Sequence, residues 1–155
     1  MQVLNRMKSL PVVALGLLAF AVTAQESGNT ILPSEIQWRP HALTPGLQNA
    51  DLVGDISKPG PVVYRTKFPP NFMIQPHSHP EDRAHTVISG TWYVGWGTKF
   101  DEAKLKALPV GSFYIEPANV VHFVATKGDG AEIQITAIGP IGISRYVDPA
   151  HAPKK

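Results

Sequence analysis

Residues 76–92 read Pro76-His77-Ser78-His79-Pro80-Glu81-Asp82-Arg83-Ala84-His85-Thr86-Val87-Ile88-Ser89-Gly90-Thr91-Trp92, and they hold three of the chain's 6 histidines. In an extended strand, residues i and i+2 face the same side. His77 and His79 can therefore aim two imidazoles at one point. Imidazole suits zinc, copper, iron and nickel, and two neighbouring rings form half of a site for any of them. Alone, His-x-His also describes two surface histidines in a polar turn, so its meaning depends on its surroundings.

Working outward, 15 prolines and 13 glycines cut the chain into short pieces. The pieces are rich in β-branched and aromatic residues, which predicts strands over 61–68, 83–90, 91–96, 112–116, 120–126, 132–138 and 143–147. Ser89-Gly90 is the turn signal between the second and third. The best helix candidate is the run Asp101 to Leu108, and it is only about two turns long. Many short strands between glycine and proline turns predict an all-β sandwich or barrel. The proline-broken residues 25–60 read as an extended N-terminal arm packing on a barrel of 61–148, and 149–155 as a flexible tail.

A second stretch reads Gly111-Ser112-Phe113-Tyr114-Ile115-Glu116-Pro117-Ala118-Asn119-Val120-Val121-His122. The first stretch resembles the first cupin motif: two histidines one residue apart, a following proline, a carboxylate a few residues on, and a glycine at the hairpin. The second resembles the second cupin motif, with Gly111, Pro117 and His122 on its glycine, proline and histidine positions. The two motifs occur in the family's order, and the resemblance covers roughly residues 60 to 147. It implies a double-stranded β-helix, the cupin jelly-roll barrel, with a metal inside on His77, His79 and His122. Three neutral imidazoles would leave coordination positions open for water, dioxygen or a substrate oxygen. Val120 and Val124, on the strand face of His122, would line the cavity.

The chain departs from the family at one position. Where the family's metal-binding glutamate is expected, it has Arg83, which has no lone pair to give and stays charged. Three readings follow. His85, on the same strand face, is the fourth ligand or touches one; Glu81 or Asp82 swings in from the loop; or the site has three histidines only. In the second motif Asn119 stands for a glycine and tolerates the same left-handed backbone. Trp92 and Trp96 share one strand face, with Tyr93 on the other; they read as core or dimer-interface packing, with a substrate-stacking surface as the alternative. His41 and His151 lie in proline-rich, exposed segments.

The first residues carry a separate signal. Arg6 and Lys8 precede the apolar run from Leu10 to Val22, and Val22-Thr23-Ala24 offers small residues to a signal peptidase. Basic, apolar and small in that order is a secretory signal peptide over 1–24; the run is short of the about 20 residues a spanning helix needs. Export to a periplasmic or secreted location is the expectation. Without Arg6 and Lys8, the 14 Lys+Arg fall to 12, matching the 12 Asp+Glu. A near-neutral surface argues against nucleic acid as a partner, and against a membrane after cleavage. There are no cysteines, so thiolate metal sites and thiolate nucleophiles are excluded.

The expected cofactor is therefore one divalent transition metal ion: iron, nickel, copper, manganese or zinc. The expected function is a metal-dependent oxygenase, a dioxygenase resembling the quercetinase-like or germin-like cupins. It would act on a small organic, aromatic or polyketide-like substrate, with His85 or Glu81 as the base. Two other functions remain open: a barrel that only binds or senses a metal or small ligand, and a metal-independent isomerase with His77 or His122 as acid/base. A homodimer formed through sheet edges and N-terminal arms is a further expectation.

Overall fold

The structure, a computed structural model, describes Gly28 and residues 30–152. The signal peptide expected over 1–24 lies outside the described residues, as does the end of the tail.

Among the described residues, eleven strands form two antiparallel sheets. In chain order they are β1 (Arg39–Pro40), β2 (Gln48–Val53), β3 (Gly60–Phe68), β4 (Met73–Ser78), β5 (Arg83–Gly90), β6 (Trp92–Trp96), β7 (Lys106–Leu108), β8 (Phe113–Glu116), β9 (His122–Ala125), β10 (Ala131–Gly139) and β11 (Arg145–Tyr146). One sheet runs β1-β2-β3-β10-β5-β8 and the other β11-β4-β9-β6-β7. This is the all-β jelly roll that the sequence predicts. The extended arm is in part sheet: β2 pairs with β3, and β1 with β2. Leu47 and Ala50 anchor it in the interior.

Alternation along the strands explains why these segments pair as they do. In β10, Ala131, Ile133, Ile135 and Ala137 point inward while Thr136 and Ile138 point to solvent. Tyr64, Val87, Trp92, Val94, Leu108 and Val124 meet them from the other strands. The chain changes sheet between β5 and β6 at Gly90, whose φ is +70°. A Cβ there would lie 2.2 Å from the Gly130 carbonyl oxygen, so both the backbone angle and the space require glycine.

Two expectations are corrected. The helix read over 101–108 is a single 3-10 turn, Glu102–Lys104, capped by the Asp101 carboxylate, followed by β7. Eight residues are too few to hold a helix unaided, and strand pairing of Leu108 with Trp92 buries Leu108. Val120 does not line the interior; it is 41% exposed. The strand begins only at His122, and Val120 sits in a turn closed by its own N–H donating to Pro117. Asn119 in that turn takes φ of +62°, the left-handed backbone expected of it. No helix among the described residues is long and apolar enough to cross a membrane.

The two faces of β10 make the packing testable. Ile133→Ala should cost about 2–5 kcal/mol in chemical denaturation, from lost burial and the cavity left behind. Ile138→Ala should stay within about 0.5 kcal/mol. Equal losses would contradict the assignment of inward and outward faces.

Candidate metal centre

The pairing of β4 with β9 sets His77 opposite His122. His79 follows one residue past the end of β4, and its carbonyl accepts the Asn119 N–H at 2.7 Å. The Asp82 carboxylate accepts the Ala118 N–H at 2.6 Å. These two bonds tie the loop after the first two histidines to the turn before the third. His77, His79 and His122 are each at most 5% exposed, and each offers a ring nitrogen within 4.8 Å of the others.

Their tautomers follow from their partners. His77 Nδ1–H donates to the Gln75 carbonyl at 2.8 Å, and His122 Nδ1–H to the Val120 carbonyl at 3.1 Å. A neutral ring that donates at Nδ1 presents a lone pair at Nε2. His79 Nδ1 lies 3.3 Å from the Ser144 hydroxyl, with Nε2 turned to the interior. Burial, then the nearby His122, lowers the His77 pKa to about 4; burial, then Arg83, lowers that of His79 to about 2. Both rings are thus held neutral, the form a metal requires.

One residue of the centre was not legible as such in the sequence. Glu116 on β8 is 2% exposed. Its Oε1 lies 3.2 Å from His122 Nε2, and its Oε2 lies 3.1 Å from His85 Nε2 and 3.6 Å from His79 Nε2. Register places it opposite Arg83 and places Tyr114 opposite His85. A carboxylate is therefore brought beside the histidines from the strand that faces Arg83. A signal was present: in Phe113-Tyr114-Ile115-Glu116 the alternation is inverted, with Phe113 and Ile115 exposed and the polar pair inside. Burial opposes ionisation of Glu116, but the neighbouring His85 and His122 outweigh it and hold the carboxyl well below its usual range.

The remaining residues fall into place around this carboxylate. Tyr114 O–H donates to Glu116 at 3.0 Å, lies 3.2 Å from His85 Nδ1, and accepts the Trp92 indole N–H at 2.6 Å. Burial, then Glu116, raises the Tyr114 pKa, so its proton stays in place. His85 meets the centre through Glu116 rather than among the three converging nitrogens. Glu81 is engaged by Arg83 and by the Gly142 N–H, and Asp82 by Ala118. Trp92 is core, Tyr93 half-buried, and Trp96 exposed with its ring 5.7 Å from His122. His41 accepts the N–H groups of Leu43 and Thr44, and His151 pairs with Asp148.

Three buried atoms test whether a cation fits: His122 Nε2, His85 Nε2 and Glu116 Oε2 have no hydrogen-bond partner. His122 Nε2 and Glu116 Oε1 are close enough to bond but are misaligned. With the Nδ1 proton on Val120, two lone pairs face each other, which is unfavourable unless a cation or a proton lies between them. The residues fit a metal ion.

No protein-family model matches the chain, and no curated protein matches it by sequence. Solved structures do match by shape. The polyketide cyclase RemF from Streptomyces resistomycificus superposes with a TM-score of 0.67 at 16% identity, covering 82% of this chain and 90% of that one. A protein of unknown function with a cupin-like fold from Ralstonia eutropha gives 0.60 at 23%, covering 76% and 71%. An RmlC-like cupin from Shewanella frigidimarina gives 0.56 at 16%, covering 72% and 91%. The chain has the cupin fold.

Acid should destabilise this protein. The His77 pKa is depressed in the folded state, so the unfolded chain binds the proton first as pH falls. Its contribution is complete above about pH 6.5 and is lost as pH falls toward about 4, on the order of 3 kcal/mol. Glu116, also depressed, acts in the same direction. In chelated protein, His77→Gln should flatten the fall in stability between pH 6.5 and 4, measured by denaturant titration. An unchanged slope would show that His77 is not held neutral by burial.

Proposed function

We propose that the protein is an exported cupin that holds one divalent transition metal ion on His77, His79 and His122, and that it is a metal-dependent enzyme for a small organic molecule. The observation that carries this reading is the convergence of three buried imidazoles, two with Nδ1–H fixed on backbone carbonyls, beside the ionised carboxylate of Glu116. Bound there, the ion would supply Lewis acidity toward a substrate oxygen. Its imidazole-rich ligands suit iron, nickel, copper, manganese or zinc. A dioxygenase is the finer form of the reading and requires one of the redox-active members of that set.

The chain's own residues would orient the substrate. Glu116 Oε2 is buried and without a hydrogen-bond partner among the described residues, so it can accept a hydrogen bond from a substrate hydroxyl and orient it. Tyr114, which donates to Oε1, holds the carboxylate in place, and His85 Nε2 lies 3.1 Å from Oε2. Of the two bases offered by the sequence, His85 thus works through Glu116, while Glu81 is tied to Arg83.

Access would run past Tyr146. Its ring stacks on His77 with centroids 5.4 Å apart. It also lines a cavity of about 310 Å³ together with Phe72, Met73, Ile74 and Gln75. That volume is at the lower end for small-ligand pockets. RemF supports the enzyme reading only by showing the fold in a cyclase, not by suggesting a substrate. A second reading, a barrel that binds metal without turnover, is favoured by one observation: the three histidines are buried, and none of them lines the cavity beside Tyr146.

Export rests on the basic, apolar and small pattern of residues 1–24, and a mature N-terminus at Gln25 would establish it. A homodimer would cover Phe113, Ile115 and Ile138, which are exposed on the same outer sheet face.

After reconstitution, the mature protein should retain about one metal ion per chain. His77→Ala and His122→Ala should abolish retention. Glu116→Gln should weaken it by about 10–100-fold, the range for groups that orient ligands. Elemental analysis after dialysis measures all four. A wild type that holds no iron, nickel, copper, manganese or zinc removes the central claim. Unchanged metal in His85→Ala shows that His85 is not a required ligand.

A further inference from the structure

Arg83 is 8% exposed and sits across the β5–β8 register from Glu116, also buried. Two opposite charges so placed would ordinarily join, yet no ion pair links them, and each is turned to other partners. The Arg83 Nε and Nη2 groups both donate to Glu81 Oε1, and Nη2 also donates to the Gly142 carbonyl at 3.2 Å. Glu81 Oε2 accepts the Gly142 N–H at 3.1 Å, so loop, guanidinium and segment 140–144 form one clasp. Nη1 is left over. Among the described residues, its two N–H groups have a single acceptor, His79 Nε2, at 3.4 Å. That nitrogen is also 3.6 Å from Glu116, so it lies between the two charges.

His79 Nε2 is the atom whose lone pair the metal would take. Once that lone pair is committed, Nη1 has a buried charged donor and no acceptor, a costly state. The geometry points to Arg83 as an oxyanion-binding residue: Nη1 takes an anionic oxygen of a molecule bound at the metal, and the substrate class is a small organic carboxylate. This inference rests on the metal reading above and adds to it a charge requirement on the substrate. The clasp to Glu81 fixes the fork, so Nη1 is preorganised beside the centre. An arginine where a glutamate ligand is expected is then a gain of anion recognition as well as the loss of a ligand.

The probe is acetate titrated into cobalt-loaded protein, followed by the visible cobalt absorption, with metal content quantified separately. The wild type should show a saturable spectral change. Arg83→Met should keep its cobalt while its acetate Kd rises at least tenfold, and neutral imidazole should bind both proteins alike. If Arg83→Met fails to fold, Arg83→Lys carries the test: it keeps the charge but loses the fork, and its Kd should rise at least threefold. Wild-type acetate affinity in a cobalt-loaded Arg83 variant, or no acetate response in the cobalt-loaded wild type, overturns the proposal. Absence of cobalt from the wild type overturns the metal reading, and this proposal with it. A purely structural clasp would lower stability in Arg83→Met and leave the acetate Kd unmoved.

Discussion

Glu116 spreads one buried negative charge over His122, His85 and His79, with a hydroxyl from Tyr114 behind it. A carboxylate this deep is costly unless donors or positive charge surround it. Tyr114 donates to Oε1, Oε2 has no hydrogen-bond partner among the described residues, and three strands and one loop bring the other groups to it. β9 brings His122, β5 brings His85, β8 brings Glu116 with Tyr114, and the loop past β4 brings His79. The two sheets of the barrel are therefore joined at this point by polar contacts, whereas elsewhere they meet through Val87, Ile133, Val94 and Val124. Removing the carboxylate would leave several imidazoles facing one another with nothing between them.

Much of the barrel was legible because strand formation here is a local matter. Inward and outward positions alternate cleanly in β3 and β10, and glycine and proline mark the turns. The three histidines were legible because their spacing is also local: His77 and His79 differ by two residues, and His122 stands at a fixed distance from Gly111 and Pro117. The carboxylate was not, because its position depends on register. Glu116 is 33 residues from Arg83 in the chain and directly opposite it in the sheet. A reading along the first motif alone finds Arg83 and looks for a substitute nearby, at Glu81, Asp82 or His85. The first two are engaged by hydrogen bonds at the surface of the barrel. The third lies inside but faces the carboxylate. The inverted polarity of Phe113-Tyr114-Ile115-Glu116 marked an inward acid, yet it could not say which residue that acid would meet.

The same limit applies to the segment after β10. Pro140 to Tyr146 has little periodicity, and a short strand was the most it suggested. In the fold it matters more than its length implies. Gly142 closes on Glu81 and Arg83, Ser144 reaches His79, and Tyr146 lies flat on His77. Seven residues thus touch the first motif at three points, each by a different kind of contact. Sequence propensity has no means of registering such a role, because none of the contacts is local.

The stacking of Tyr146 on His77 bears on how the protein would come to hold one ion rather than another. Imidazole sites rank divalent metals by intrinsic affinity in much the same order whatever the protein, so affinity alone selects poorly. An enclosed centre whose last wall is a two-residue strand can select by timing. An ion inside the barrel when β11 pairs with β4 would leave only when that pairing opens, and exchange would follow the opening rate, not the strength of the bonds to the metal. The composition of the compartment in which the chain folds would then be recorded in the site, and later changes in metal supply would alter the occupant slowly.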